Sequence, residues 1–306
     1  MTSTSSTTST TTAVRHHLPF GTASAGGCSV LVSPASAGWD FTGLAVLELA
    51  AGEVRSWATG PSETLVMALS GSCRVTCEGT TYDVLGRADV FSGPSDFVYV
   101  PRDSELTVSS QEGGRFALPS AVCERRLPVR YQPSDAVPIE LRGAGSASRQ
   151  VNNFCTTEAF QADALIACEV LTPSGNWSSY PPHKHDEATA TESVLEEIYY
   201  FEVADGQGGP GIGYQRVYGH EEREIDVLAE VRSGDVVLIP HGWHGPSMAV
   251  PGYDLYYLNV MAGPAEERAW RICDDPTHAW VRDTWADQEV DPRLPFGSAS
   301  AEEAAR

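Results

Sequence analysis

The chain has 306 residues, of which 42% are hydrophobic and 20% charged, and its formal net charge is −21 at pH 7. A chain of this size can bury one large core or two smaller ones. Its negative charge argues against nucleic acid or an anionic membrane as a partner, because both require a positively charged surface. No segment reaches the roughly 20 apolar residues that span a bilayer.

The first 14 residues, MTSTSSTTSTTTAV, are mainly serine and threonine. This composition cannot support a hydrophobic core, so we predict a disordered tail at 1–14. The segment also lacks the charged and apolar regions of a secretory signal. The seven cysteines are odd in number and widely spread, which favours free thiols and a cytoplasmic location.

Two series of short β-rich runs follow. The first reads LAVLELAAGE, TLVMALSG, CRVTCEG, DFVYVP and LTVSS, and the second reads EIYYFEV, GIGYQRVYG, EIDVLAEV, DVVLIP and DLYYLNVMAG. Many short strands separated by turn residues are typical of antiparallel barrels or sandwiches. The series also resemble each other, because Glu63 precedes Pro101 by 38 residues and Glu197 precedes Pro240 by 43. We therefore predict an internal duplication.

The two predicted units meet in a segment rich in Pro and Gly, and we place the boundary near residue 135. The first unit is 15–135 and the second is 136–295. The remaining tail, 296–306, is expected to be mobile at its end.

The stretch that begins the second series, YPPHKHDEATATESVLEEIYYF, carries the main chemical signal. His183 and His185 project to the same face if this segment is extended. Glu197 opens the next strand, and GDVVLIPHGWHGP brings His244 to the end of another. Imidazole and carboxylate ligands together suit zinc, manganese or iron. We predict that these four residues bind one divalent metal with open positions, as a catalytic site requires.

A family resemblance is carried by PPHKHD, EEIYYF and SGDVVLIPHGWHG. They resemble the cupin motifs, in which H-x-H, a Glu and a later His bind one divalent metal inside a β-barrel. The insert before Glu197 is longer than in typical cupins, so Glu192 or Glu196 stays open as the carboxylate ligand.

A narrower resemblance is carried by GYQRVY, DPTHAW and the string from Tyr253 to Pro264. These are similar to the 5-deoxy-glucuronate isomerase family of myo-inositol catabolism. The resemblance implies an all-β bicupin, which is two antiparallel β-barrel (jelly-roll) domains. It also implies a metal-dependent aldose–ketose isomerase that interconverts 5-deoxy-D-glucuronate and 2-deoxy-5-keto-D-gluconate.

The first half retains Glu63 but has Arg55 and Trp57 where H-x-H would stand, and no histidine follows Pro101. We therefore predict that its metal site is degenerate. Its expected role is structural, burying the sheet of the second barrel or a dimer face.

The implied reaction moves one hydrogen between adjacent carbons. A metal would stabilise the charge on the substrate oxygens, and a base would carry the proton. The sequence leaves that base open, and a hydride shift would need none. The candidates are His241, Tyr218, Tyr256 and Tyr257.

The substrate implied is a small acidic deoxy sugar, whose carboxylate needs a cation. Arg216 is the first candidate, because a guanidinium can bind a carboxylate through two hydrogen bonds. Lys184 is the second, although it projects away from the histidines. Tyr257 is a further candidate for substrate binding, and a homo-oligomer is left open.

Three other functions remain open. A 4-deoxy-5-keto-uronate isomerase of pectin breakdown would share the fold and the metal. An iron-dependent cupin dioxygenase would use two histidines and a carboxylate. A sugar-binding cupin without enzymatic activity would tolerate loss of the metal ligands.

Overall fold

The computed structural model describes residues 15–220 and 223–297, and antiparallel strands dominate it. The predicted all-β fold class is therefore confirmed. The tail at 1–14 and residues 298–306 lie outside the described residues. Within the described ranges, no helix is long and apolar enough to cross a membrane.

The first half contains ten described strands and one short helix. They are β1 (His17–Leu18), β2 (Val30–Val32), α1 (Pro34–Ala37), β3 (Thr42–Leu49), β4 (Val54–Ala58), β5 (Ser62–Cys77), β6 (Thr80–Arg87), β7 (Phe97–Val100), β8 (Glu105–Ser109), β9 (Gly114–Val122) and β10 (Arg130–Gln132).

The second half contains twelve described strands. They are β11 (Ile139–Arg142), β12 (Arg149–Asn152), β13 (Ile166–Thr172), β14 (Trp177–Ser178), β15 (His183–Lys184), β16 (Glu196–Val203), β17 (Gly213–His220), β18 (Arg223–Val231), β19 (Val236–Ile239), β20 (Trp243–Ala249), β21 (Leu255–Ala262) and β22 (Cys273–Asp274). Short 3-10 turns lie at Ser134–Ala136, Gly145–Ala147 and Ala279–Asp287.

The first barrel is a nine-stranded sheet that folds over on itself. Its central strand β5 has 16 residues and pairs with β6, β7, β8 and β9 along its length. The strand changes direction at Gly71, where the backbone has φ +80 and a Cβ atom would lie 2.5 Å from the carbonyl oxygen of Gly113. Glycine is required there because the neighbouring backbone leaves no room for a side chain.

The second barrel is built from a seven-stranded sheet, in the order β1-β19-β16-β21-β13-β12-β11, and a six-stranded sheet around β17, β20 and β15. β1 crosses from the start of the chain to pair with β19, so part of the predicted unit 15–135 lies in the second barrel. The chain changes sheet between Gln132 and Ile139. Because this change of sheet lies around residue 135, the boundary there stays our proposal.

Apolar side chains form three clusters, one inside each barrel and one between them. Successive side chains of a strand point to opposite faces. Thus β16 sends Ile198 and Tyr200 into the cluster between the barrels, and Tyr199 and Phe201 into the second barrel.

Two carboxylates join the barrels reciprocally. Glu63, at the start of β5, accepts hydrogen bonds of 2.6 to 3.1 Å from the backbone amides of 163–165, in the second half. Glu196, at the start of β16, accepts bonds of 2.8 to 2.9 Å from the amides of 40–42, in the first half. Each carboxylate thus fixes a loop of the other barrel.

This reciprocity corrects the alignment of the two halves. Thr64 pairs with Val100, directly before Pro101, and Glu197 pairs with Ile239, directly before Pro240. The counterpart of Glu63 is therefore Glu196, and the predicted equivalence of Glu63 with Glu197 is wrong by one residue. In the first barrel, Thr64 occupies the position that Glu197 has in the second.

A buried ion pair also links the two halves. The guanidinium of Arg87 donates two hydrogen bonds of 2.8 Å to the carboxylate of Glu169, and both side chains are at most 2% exposed. Asn152 Nδ2 donates a further bond of 2.7 Å to that carboxylate. The remaining guanidinium donors bond to the backbone carbonyls of Ala68 and Gly93, so both charges are compensated.

Replacement of Glu169 by Gln should destabilise the protein by about 3–5 kcal/mol, because it leaves the charge of Arg87 buried without a partner. Urea unfolding measures this change. Asp83→Asn is the matched control, since the Arg74–Asp83 pair is more than half exposed and should contribute at most about 1 kcal/mol. Equal effects of the two substitutions would show that the buried pair does not stabilise the two halves.

Candidate metal centre

Three strands of the second barrel bring metal-binding side chains together. His183 lies on β15 and pairs across the sheet with His244 on β20, while His185 follows directly after β15. Glu197, the second residue of β16, faces them from the opposite sheet. The sequence separates these residues widely, and the barrel places them in one interior.

The closest group consists of His185, Glu197 and His244. Their potential ligand atoms all lie within 4.8 Å of one another. Nε2 of His185 is 2.9 Å from Oε2 of Glu197, and Nε2 of His244 is 3.1 Å from the same oxygen. All three residues are at most 2% exposed.

The hydrogen bonds of the two imidazoles show what this group lacks. Nδ1 of His185 is 3.2 Å from the carbonyl oxygen of Leu195, and Nδ1 of His244 is 3.1 Å from that of Gly242. A carbonyl oxygen only accepts, so each Nδ1 carries the hydrogen and each neutral ring presents the lone pair of Nε2. Nε2 of His244 is not oriented for a hydrogen bond to Glu197, and it has no hydrogen-bond partner among the described residues.

With both rings neutral, two Nε2 lone pairs and one carboxylate therefore converge, and a bound cation would satisfy all three. The pKa shifts point the same way. Burial lowers the pKa of His185, but the contact with Glu197 outweighs burial and raises it. Burial raises the pKa of Glu197, but the neighbouring imidazoles of His185 and His244 outweigh burial and lower it. The pocket thus favours positive charge, and two nitrogens and a carboxylate suit a divalent metal.

His183 lies beside this group. Its ring centroid is 4.3 Å from that of His244 and 6.3 Å from that of His185. Burial and the neighbouring imidazoles hold its pKa well below the ordinary value, so the ring is neutral. It does not belong to the group within 4.8 Å, and its role as the fourth ligand stays a prediction.

The structure distinguishes among the three glutamates that the sequence left open. Glu192 accepts hydrogen bonds from Lys184 Nζ at 2.8 and 3.1 Å and points away from the histidines. Glu196 bonds to the amides of the first barrel. Glu197 is the only one of the three that faces His185 and His244.

Comparison with known proteins bears on the family. The model of the KduI/IolB family matches residues 17–281. The chain belongs to the KduI/IolB family.

Relatives in this family share much of the chain. A 5-deoxy-glucuronate isomerase of Geobacillus kaustophilus is 41% identical over 258 residues, covering 83% of this chain and 91% of the relative. A protein of the same name from Bacillus subtilis is 39% identical over 239 residues, covering 77% and 86%. The crystal structure of an IolB-like protein from Salmonella typhimurium is 35% identical, with a TM-score of 0.80 over 87% of this chain and 99% of the other.

A more distant match supports the bicupin fold. The oxalate decarboxylase of Lactobacillus farciminis, solved as a formate complex, has a TM-score of 0.59 at 12% identity, over 86% of this chain and 89% of the other. At this identity the likeness concerns the fold alone.

Lys184 does not face the interior of this KduI/IolB barrel. Its ammonium contacts Asp186, Glu187 and Glu192 at 2.8 to 3.1 Å. Burial lowers its pKa, but these carboxylates outweigh burial and raise it. The structure therefore does not bring Lys184 to the candidate metal centre, because strand alternation turns it outward as the sequence had indicated, and its role in substrate binding stays a prediction. Asp186, Glu187 and His220 form a second potential ligand group, but Lys184 already supplies its positive charge.

Arg216 and Tyr218 also point away from the interior. Along β17, buried and partly exposed residues alternate, with Val217 inside and its two neighbours outside. Arg216 bonds to Asp226 on the neighbouring strand, and Tyr218 donates to Asp275 at the end of the barrel. The structure therefore does not bring Arg216 or Tyr218 to the candidate metal centre, and carboxylate binding by Arg216 and catalysis by Tyr218 stay predictions.

The two remaining catalytic candidates lie outside the site as well. His241 Nε2 is 3.3 Å from the carbonyl oxygen of Glu224, on the outer hairpin. Tyr256 faces the cluster between the barrels, where its ring lies 5.8 Å from the guanidinium carbon of Arg87. Tyr257, the next residue, faces the second interior, so its predicted role in substrate binding stays a prediction.

The interior also contains polar groups that the sequence did not single out. Asn259 shares a face with Glu197 on paired strands, and its Nδ2 is buried without a partner. Tyr199 stacks on Tyr257 with ring centroids 4.8 Å apart. Two-residue periodicity from Glu197 along β16 would have identified Tyr199. The register of β21 against β16 would have identified Asn259, which pairs with Tyr199.

Replacement of His185 or His244 by Ala should lower the affinity for zinc or manganese by at least about 10²-fold, because each removes one of three convergent ligands. Metal content after dialysis and calorimetric titration measure the loss. His241→Ala is the matched control and should bind metal as the unaltered protein does. A His241 variant that loses metal while the His185 variant retains it would contradict the assignment.

Proposed function

We propose that this chain is a metal-dependent aldose–ketose isomerase that converts 5-deoxy-D-glucuronate to 2-deoxy-5-keto-D-gluconate. Family membership and the name that its relatives carry support the reaction. The observation in the molecule that carries the proposal is the buried group of two Nε2 lone pairs and one carboxylate inside the second barrel. The substrate class is a small sugar acid.

His185, Glu197 and His244 would hold the metal, with His183 as the proposed fourth ligand. Zinc, manganese and iron all accept such a donor set. A divalent cation bound there would supply Lewis acidity to the carbonyl and neighbouring hydroxyl oxygens of the sugar. His185 and His244 are each held in one orientation by the bond from Nδ1 to a backbone carbonyl, so these two donors need little rearrangement on binding.

Isomerisation transfers one hydrogen from the hydroxyl-bearing carbon to the carbonyl carbon, and one proton between their oxygens. Burial raises the pKa of Tyr257 to about 12 and that of Tyr199 well above its ordinary value. Both phenols therefore keep their protons near neutral pH, and each already shares a hydrogen bond of 2.9 Å with a serine hydroxyl, Tyr257 with Ser178 and Tyr199 with Ser179. They are poorly suited to act as the base, so the base remains open.

The other barrel contributes no second site in this proposal. Its interior cluster is apolar, and Thr64 stands where Glu197 stands in the second barrel. We keep its proposed role as structural. A cytoplasmic location also remains a proposal, based on the seven free cysteines.

Incubation of the metal-loaded protein with 5-deoxy-glucuronate should remove the aldehyde proton signal from the NMR spectrum. Glu197→Gln should slow this by at least about 10²-fold, because it removes the negative ligand. The same incubation under argon should proceed equally fast, which a dioxygenase could not do.

Incubation with a 4-deoxy-5-keto-uronate distinguishes the related isomerase and should give much slower turnover. Persistence of the aldehyde signal with each of zinc, manganese and iron, while the Geobacillus relative consumes it, would refute the proposed reaction.

A further inference from the structure

A buried arginine in the second barrel has no acidic partner. Arg149, the first residue of β12, is 5% exposed. No carboxylate oxygen lies within 4.0 Å of its guanidinium nitrogens anywhere in the described ranges. Its hydrogen bonds, 3.0 Å to the carbonyl of Ala147 and 3.4 Å to that of Tyr180, both use Nη1. Nε and Nη2 have no partner among the described residues.

The direction of this side chain follows from strand alternation. Arg149 is two residues from Val151, which packs inside the second barrel, so both share the inner face of β12. The Tyr180 carbonyl that it contacts is three residues before His183. Arg149 therefore lies in the same interior as the candidate metal centre.

The surroundings of the guanidinium are arranged to accommodate it. Its carbon lies 5.5 Å from the ring centroid of Trp285, whose indole Nε1 is also buried without a partner. Gly143 has φ +77, and a Cβ atom there would come within 2.7 Å of Arg149 Nη1. Burial lowers the pKa of Arg149 to about 10. Burial lowers the pKa of a cation when no anion in contact with it offsets the loss of water.

The neighbouring arginines differ in this respect. Arg142, opposite Arg149 on β11, donates two bonds of 2.8 and 2.9 Å to Glu140. Arg282, whose guanidinium also lies over the ring of Trp285, bonds to both carboxylate oxygens of Asp274. Arg149 alone of these three has free donors and an uncompensated charge. A carboxylate would accept hydrogen bonds from the free donors and neutralise the charge, because a guanidinium binds it through two parallel hydrogen bonds.

We propose that Arg149 binds the carboxylate of the sugar acid while the other end of the sugar reaches the metal centre. This inference rests on the proposed function for the identity of the sugar. It assigns to Arg149 the role that the sequence had given to Arg216 and Lys184. Selectivity for an acid over a neutral sugar then follows from a cation that only the acid neutralises.

The test compares Arg149→Met, Arg149→Lys and Arg216→Met in the full-length, metal-loaded protein. Steady-state kinetics with 5-deoxy-glucuronate should show a KM at least about 10²-fold higher for Arg149→Met, since the substrate charge loses its partner. Arg149→Lys should give an intermediate KM, because it keeps the charge but loses the planar pair of donors. Arg216→Met, the matched control on the outer face, should have an unchanged KM.

Two further measurements separate substrate binding from a structural role. Metal content and melting temperature of the Arg149 variants should match those of the unaltered protein. A KM within twofold of normal in Arg149→Met would overturn the inference, and so would a fall in kcat alone that accompanies metal loss. If Arg149→Met does not fold, an unchanged KM in Arg149→Lys overturns it instead.

Binding measured by tryptophan fluorescence distinguishes this inference from the proposed function. If the unaltered protein converts the sugar acid but its affinity is insensitive to Arg149, only this inference fails. If it binds the sugar acid through Arg149 without converting it, only the proposed reaction fails. Absence of both binding and turnover would refute both.

Discussion

The alternation of side chains along β16 separates the contact that joins the barrels from the carboxylate of the candidate site. Glu196 and Glu197 are adjacent, so they point to opposite faces of one strand. The first fixes the loop at 40–42 in the other barrel, and the second lies between two imidazoles. A shift of register by one residue would exchange the two and remove both functions at once. The cluster between the barrels therefore determines which glutamate reaches the metal centre.

The two barrels use the same framework for different purposes. Glu63 and Glu196 make equivalent hydrogen bonds to the opposite barrel, so each half contributes one carboxylate that joins the two barrels. The inner position is Thr64 in one and Glu197 in the other. Around Thr64 the interior is filled with apolar side chains, whereas the second interior keeps His185, His244 and Asn259. A filled interior stabilises a barrel by burying apolar area, and a polar interior leaves room for chemistry.

Much of the candidate site could be predicted from the sequence because its proposed ligands follow strand periodicity. His183, His185 and Glu197 lie at the ends of recognisable strands, and the alternation rule gives their common direction. The same rule turned Lys184 outward, and applied from Val217 it would have done so for Arg216 and Tyr218. Tyr256 and Tyr257 could not be distinguished without the register of β21 against β16.

The role of Arg149 depends on what does not contact it, and such an absence has no signature in a sequence. Whether a buried arginine has an acidic partner is decided by residues far away in the chain. Arg87 shows the opposite case, because its partner Glu169 comes from the other barrel. Pattern analysis alone would have described both simply as charged residues near strand ends.

The unpartnered groups of the second barrel form a consistent set. Buried polar atoms in native proteins are nearly always hydrogen-bonded, so each exception needs an explanation. Nε2 of His244 is an acceptor without a donor, and Nδ2 of Asn259 and Nε1 of Trp285 are donors without acceptors. An acceptor of this kind suits a metal, whereas the donors suit the oxygens of a sugar acid. A bound metal would satisfy Nε2 of His244, and the oxygens of a sugar acid would satisfy Nδ2 of Asn259, so neither ligand would satisfy both alone. This complementarity is the physical reason to regard the second barrel as a site that is formed before its ligands bind.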